Sequence, residues 1–240
     1  MKVLITGGAS GLGKAITERL VQQKDFQVII TYRSSAQKAQ ELENKYTNVR
    51  AVKCDFSNDS DLTDISKLIQ EEGIGILINN AHSTKIDKNY FHKLSADVFA
   101  YGFHQNILPV IRITQAAINI FRKKRYGKII TILSSSIANK PPTGYSEYTA
   151  SKGYLLSLSK SWATENVAFN ITSNCISPAF MLTQLTHGTD ERIIEEMQDK
   201  HPLKRLLIPE EVADVVAFLC NSTQQINGVN MIVNSAENVV

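Results

Sequence analysis

The sequence predicts an α/β fold, a single Rossmann-like, doubly wound and mainly parallel seven-stranded sheet with helices on both faces. Two observations carry that expectation. Short apolar runs alternate with longer segments of helical period through the whole chain. Most of the runs are continuous rather than alternating, as strands covered on both faces require. The strands fall at 3–6, 27–32, 49–54, 74–79, 128–133, 171–177 and 229–233, and the helices at 12–23, 36–46, 60–72, 96–123, 147–167, 191–199 and 210–220. Seven strands leave an eight-stranded barrel one short. An open sheet of this kind binds its ligands beyond the carboxyl ends of the strands. No repeat, linker or compositional break divides the chain, so residues 1–240 read as one domain.

Composition narrows the functional classes. Of 240 residues, 43% are hydrophobic and 20% charged, ordinary globular usage that argues against disorder. The formal net charge of +3 is too small to demand nucleic acid or anionic lipid. Cys54, Cys175 and Cys220 are odd in number and set in apolar company. They read as buried thiols of a reducing compartment, neither a disulfide framework nor a metal site. No apolar run reaches the roughly 18–20 residues of a membrane span, and the start turns to glycine too soon for a signal peptide. A cytoplasmic protein without membrane or metal is expected.

The first strand runs into Thr6-Gly7-Gly8-Ala9-Ser10-Gly11-Leu12-Gly13, and a helix follows. Glycines there permit a tight turn and bring backbone amides to a pyrophosphate at the helix N-terminus, where the dipole favours anions. The spacing G-x3-G-x-G differs from the commoner G-x-G-x-x-G, so a flexible strand–helix turn is the alternative reading. A dinucleotide's adenosine ribose would meet the end of strand two, which reads Thr31-Tyr32-Arg33-Ser34-Ser35. That segment carries no acid to accept a 2′-hydroxyl and one guanidinium suited to a 2′-phosphate. The chemistry favours NADP(H) over NAD(H).

Tyr148 and Lys152 stand four apart near the start of a predicted helix and share one face. A phenol is a poor proton shuttle at neutral pH, and a neighbouring ammonium lowers its pKa. The pair can pass a proton to or from an alcohol oxygen.

The loop TGGASGLG, the strand ending ILINNA, Asn106, the run LSSS, the segment YTASK and the stretch NCISPAFMLT occur in one order. Together they resemble the short-chain dehydrogenase/reductase family over nearly the whole chain. The tail from Pro202 to Asn227-Gly228 is most similar to the 3-oxoacyl-carrier-protein reductase branch, although sugar, polyol and steroid enzymes share that tail. The resemblance implies Tyr148 as acid/base and Lys152 holding the nicotinamide ribose and lowering the tyrosine pKa. Asn106 would hold a water linking Lys152 to solvent. A serine at the end of strand five would bond the substrate carbonyl. Counting back from the tyrosine selects Ser135, counting forward from Gly127 selects Ser134, and Ser136 fits least. The cofactor would be held by Gly7, Ser10, Gly11, Leu12, Gly13 and Arg33, by Asp55 and Phe56 at the adenine, and by Asn79 and Ala81 beneath it. Tyr148, Lys152, Pro178, Met181 and Thr183 would complete its contacts.

Three departures from the family pattern stand out. His82 occupies the glycine of NNAG, so its side chain either points outward or intrudes on the substrate pocket. Ala179 replaces a glycine, and Asn234-Ser235-Ala236 replaces Asp-Gly-Gly. The polar segment 183–207 matches a substrate lid, with Tyr145, Phe180, Met181 and Leu185 as candidate pocket wall. Arg122-Lys123-Lys124-Arg125 ends a long helix, where capping of the dipole explains it without nucleic acid. His92, His104, His187 and His201 show no metal spacing. The resemblance further implies a homotetramer or homodimer built on the helices near 96–123 and 147–167. The expected reaction is NADP(H)-dependent reduction of a 3-oxoacyl thioester or related ketone. A sugar or polyol dehydrogenase or epimerase, and a catalytically silent dinucleotide sensor or scaffold, are the alternatives.

Overall fold

The computed structural model describes residues 1–82, 88–138, 140–183, 186 and 188–237. Seven strands, β1 (Lys2–Ile5), β2 (Gln27–Tyr32), β3 (Val49–Lys53), β4 (Ile76–Asn79), β5 (Gly127–Ile132), β6 (Ile171–Pro178) and β7 (Asn230–Val233), form one sheet. Its order is β3-β2-β1-β4-β5-β6-β7, and every pairing is parallel. The predicted strands are therefore all present.

The reason lies in the apolar runs. Every residue of β4 and β5 is buried, so both faces of the central strands need a layer of helix. On one face α1 (Gly11–Leu20), α2 (Ala36–Lys45) and α8 (Pro209–Asn221) pack through Ile16, Leu20, Leu42, Val212 and Val216. On the other, α3 (Asp59–Glu72), α5 (Leu108–Lys124) and α6 (Ser146–Asn166) pack through Ile65, Ile69, Ile113, Phe121 and Leu155. Each such side chain contributes about 1.5–3 kcal/mol on full burial, which secures both layers. The chain winds outward from β1 in one direction through β2 and β3, and in the other from β4 onward. The crevice between the carboxyl ends of β1 and β4 is thus the switch point where ligands bind.

The helix expected over 96–123 is broken. It consists of α4 (Ala96–Gly102), a five-residue π-helical turn at Phe103–Ile107, and α5, with Pro109 in the first turn of α5. Pro109 cannot donate a backbone hydrogen bond and suits only the start of a helix. The π turn carries the buried Asn106. Such turns occur often at functional sites. The remaining helix, α7 (Glu191–Lys200), buries none of its residues and starts on Asp190, whose side chain accepts from Arg192 N at 2.9 Å.

The basic cluster ending α5 works sideways rather than along its own axis. Arg125 donates to the Ala168 carbonyl at 2.9 Å, Arg122 stacks 4.2 Å from the Phe169 ring, and Lys124 donates to the Gly73 carbonyl at 2.5 Å. These cations tie the ends of neighbouring elements together.

After β7 the replacement of two glycines has a visible consequence. Ser235 and Ala236 both take left-handed backbone angles, φ +51° and +60°, which cost a side-chain-bearing residue about 1 kcal/mol or more each. Ala236→Gly is expected to raise stability by about 1 kcal/mol in urea denaturation, and an unchanged midpoint would contradict the strain.

Candidate active site

The glycine loop between β1 and α1 is stitched from both sides. Gly7 N donates to Thr31 Oγ1 and Gly8 N to the Thr31 carbonyl, each at 3.0 Å, which fixes the loop to the end of β2. From the β4 side, Asn80 Nδ2 donates to the Thr6 and Gly7 carbonyls at 3.0 and 3.2 Å. Thr6 Oγ1 accepts from the amides of Asn80 and Ala81, both at 3.0 Å. Gly7 and Gly11 have φ of +67° and +52°, and a Cβ on Gly13 would lie 2.0 Å from the Gly7 carbonyl oxygen. Only glycine fits there.

Helix α1 begins without a side-chain cap, because Ser10 makes no capping bond, and no acid stands in its first turn. The helices α3 and α7 differ, being capped by Asn58 and Asp190 and carrying acids in their first turns. An uncapped N-terminus facing a glycine cradle at the switch point fits a dinucleotide pyrophosphate. Ser10, Gly11, Leu12 and Gly13 are placed to hold it.

Around the adenosine end, Asp55 is held below the usual carboxylate range. Its Oδ1 accepts from Ser57 N at 2.9 Å and Ser57 Oγ at 2.8 Å, and the nearby Arg33 and Lys53 add to the effect. Arg33 therefore lies beside Asp55 at the carboxyl ends of β2 and β3. Phe56 is buried in the core cluster that also holds Leu4, Leu62 and Ile65. Asn79 turns away from the crevice: its Nδ2 donates to Thr114 Oγ1 at 3.0 Å, tying β4 to α5. Asn80, its neighbour, makes the bonds to the glycine loop described above.

The catalytic candidates meet at the carboxyl end of β5. Ser134 caps the 3₁₀ turn Ser135–Ile137, accepting from Ser136 N at 3.2 Å, and its hydroxyl lies near Tyr148, where it favours the ionised phenol. Of the three serines, the structure brings Ser134 to the phenol. Ser135 opens the turn, and Ser136 is buried.

Lys152 is 5% exposed, and its Nζ donates to the Ile132 carbonyl at 2.9 Å while lying 5.7 Å from the Tyr148 ring centroid. Burial brings its pKa down to about 8, opposed by Cys175 and Glu147. Tyr148 does not show the lowering expected from the ammonium. Burial raises its pKa, the Ser134 hydrogen bond opposes that, and Tyr145 adds to the rise. Within the chain's own groups, desolvation of the phenol outweighs the opposing effect of Ser134.

Sequence reasoning missed Glu147. Its Oε1 accepts from Ser151 Oγ at 2.7 Å and fills the space left by Gly102, where a Cβ would fall 1.9 Å from it. It thereby links α4 to the catalytic helix and supports the positive charge on Lys152. The signal was available: an acid five residues before the lysine, facing a glycine in the preceding helix.

The segment after β6 is mixed. Pro178 ends the strand, buried. Met181 sits in the core with Ala179, Leu207 and Val212 rather than on a pocket wall. Thr183 N donates to Thr186 Oγ1 at 2.8 Å, so its amide serves a local turn. Tyr145 does stand at the site, its ring 6.2 Å from that of Tyr148. Leu185 and His187 lie outside the described residues.

A glycine-cradled helix N-terminus at the sheet's switch point, next to Ser134, Tyr148 and the buried Lys152, defines a nicotinamide dinucleotide-dependent oxidoreductase. A family model described as enoyl-(acyl carrier protein) reductase matches residues 7–235. The 3-oxoacyl-acyl-carrier-protein reductase of Aquifex aeolicus is 34% identical over 226 residues, covering 91% of this chain and 89% of that protein. The acetoacetyl-CoA reductase of Shinella zoogloeoides is 29% identical over 91% and 90% of the two chains. Among solved structures, a candidate gluconate dehydrogenase from Agrobacterium tumefaciens superposes with a TM-score of 0.88 at 25% identity, over 100% and 96% of the chains. The chain belongs to the short-chain dehydrogenase/reductase family.

Proposed function

We propose that this protein is an NADP(H)-dependent carbonyl reductase that converts a 3-oxoacyl thioester, or a related ketone, to the hydroxy compound. The observation that carries the reading is the gathering of Ser134 and the buried Lys152 about Tyr148, with the lysine Nζ 5.7 Å from the phenol ring. When bound, the dihydronicotinamide supplies hydride to the carbonyl carbon. Ser134 holds the carbonyl oxygen, and Tyr148 gives that oxygen its phenolic proton. Lys152 holds the nicotinamide ribose and offsets the phenolate charge as it develops. The 3-oxoacyl and acetoacetyl reductases among the relatives support a thioester substrate.

The test is a stopped assay of acetoacetyl-CoA and, in parallel, of the enoyl thioester crotonyl-CoA, each with NADPH and NADH. Reduction of the 3-oxo substrate alone supports the proposal. Turnover of crotonyl-CoA instead, or of neither, overturns it. The resemblance to a candidate gluconate dehydrogenase keeps a polyol oxidation in view, and NAD-linked oxidation of sugar acids in the same plate would favour that reading.

Cofactor choice rests on Arg33, in the segment 31–35 at the end of β2 that itself carries no acid, with Asp55 near it across the sheet end. Arg33→Asp is expected to weaken NADPH binding roughly 10- to 100-fold while leaving NADH binding within a few-fold, measured by cofactor fluorescence titration. Equal loss of both would remove Arg33 from the 2′-phosphate.

We further infer a homo-oligomer built on α4 and α6. There Tyr101 and Tyr154 stand exposed, and Phe103 packs edge-on to Tyr154 at 5.4 Å. A monomer in sedimentation equilibrium would contradict it.

A further inference from the structure

His82 takes the place of a family glycine, and the mechanism above makes no use of it. It follows Ala81, whose amide bonds Thr6 Oγ1 and whose Cα lies 3.1 Å from where a Cβ on Gly7 would stand. The backbone at this point is therefore anchored to the glycine loop, and a side chain here has little choice of direction. The imidazole turns inward. Its ring centroid is 5.3 Å from that of Tyr148, at an interplanar angle of 86°. Tyr145 meets the same phenol at 6.2 Å and 77°. The Tyr148 ring is thus clasped by two edge-to-face neighbours, one on the loop after β4 and one at the start of α6, while its hydroxyl meets Ser134. A glycine at position 82 provides no such neighbour.

Resting on the carbonyl-reductase reading of this site, we propose that His82 is a positioning residue, whose ring packs against Tyr148, fixes the phenol toward Ser134 and keeps water from it.

Two further observations agree. Burial and the charge of Lys152 bring the His82 pKa down to about 3, so the imidazole is neutral wherever the protein works and adds no competing acid. Burial is also the leading cause of the raised Tyr148 pKa, as a phenol covered by its neighbours requires.

The experiment compares wild type with His82→Gly, His82→Ala and His82→Phe. One readout is the single-turnover rate of acetoacetyl-CoA reduction. The second needs no substrate: chains carrying 3-fluorotyrosine, in which the Tyr148 ¹⁹F resonance is assigned by its loss in Tyr148→Phe and titrated with pH. Fluorine lowers the phenol pKa, which keeps the titration away from strong alkali.

His82→Gly and His82→Ala are expected to slow hydride transfer roughly 3- to 10-fold, the range an edge-to-face aromatic pair supplies. They should also move the Tyr148 midpoint downward as water reaches the phenol. His82→Phe should restore both, and cofactor affinity should stay within twofold throughout. An unchanged rate and midpoint in Gly and Ala variants that fold normally by circular dichroism would overturn the proposal. So would a Phe variant that behaves like Gly, since then the ring face is not what matters. If wild type reduces no carbonyl yet the midpoint shifts as described, the positioning stands and the reductase reading falls.

Discussion

Tyr148→Phe is expected to lower the rate of carbonyl reduction by about 10²–10⁴-fold with cofactor affinity nearly intact. The phenyl ring keeps the packing against His82 and Tyr145, at 5.3 and 6.2 Å, and loses only the hydroxyl that meets Ser134. The loss is therefore chemical rather than structural. Single-turnover kinetics with cofactor fluorescence in parallel separates the two. A variant that keeps more than about a tenth of the rate would remove Tyr148 from proton transfer. The same assay reads Lys152 through pH. Its pKa near 8 lies below the ordinary lysine value, so the ammonium is present at neutral pH and lost as pH rises through 8. Reduction needs a protonated phenol and a charged lysine, so its rate should hold at neutral pH and fall above about 8. Oxidation of the alcohol uses the phenolate, whose pKa burial raises, so its rise should come at higher pH than the fall in reduction. A reduction rate that climbs with pH would contradict these roles.

Much of this architecture was legible in the residues, for reasons that can be named. Strand β2 lies at 27–32 as expected, because a run buried on both faces has no other way to satisfy its apolar side chains. The glycine loop was legible because only glycine meets its backbone demands. Other features depend on information that a linear pattern does not hold. Phe103–Ile107 keeps the apolar period of its neighbours, and only Pro109 marks the π turn that buries Asn106. Two ways of counting pointed to Ser134 and Ser135, and the folded chain places Ser134 near the phenol. Asn79 meets Thr114 and Asn80 meets the glycine loop because successive side chains at a strand end face opposite sides, a period that the sequence did contain. Met181 reads equally well as pocket wall or core until Leu207 and Val212 are seen around it. His82 marks the reverse case. The departure from glycine was visible at once, but its meaning waited on a ring contact with a residue 66 positions away.

Gly13→Ala tests the cradle itself, and its predicted effect is larger than a methyl group suggests. The added Cβ would lie 2.0 Å from the Gly7 carbonyl oxygen and 2.7 Å from Asn80 Nδ2. Neither atom is the end of a flexible chain. The carbonyl belongs to a loop pinned by Thr31, and Asn80 Nδ2 is already committed to the Thr6 and Gly7 carbonyls. Relief requires either that α1 tilts away from the loop or that the Asn80 bonds break. Both displace the first-turn amides from the position that suits a pyrophosphate. Breaking a buried network of this kind costs about 2–3 kcal/mol, which lowers Tm by about 5–10 °C for a chain of this size. Cofactor affinity should fall at least about 100-fold, since several amide–phosphate bonds are lost together. Gly153→Ala is the matching control, because a Cβ there meets nothing within 4 Å among the described residues and α6 gains a better helix former. That variant should equal or exceed wild-type stability by up to about 1 kcal/mol. If Gly13→Ala binds cofactor as wild type does, the pyrophosphate does not sit on the amides of α1, and the assignment of Gly7, Ser10, Gly11 and Leu12 fails with it.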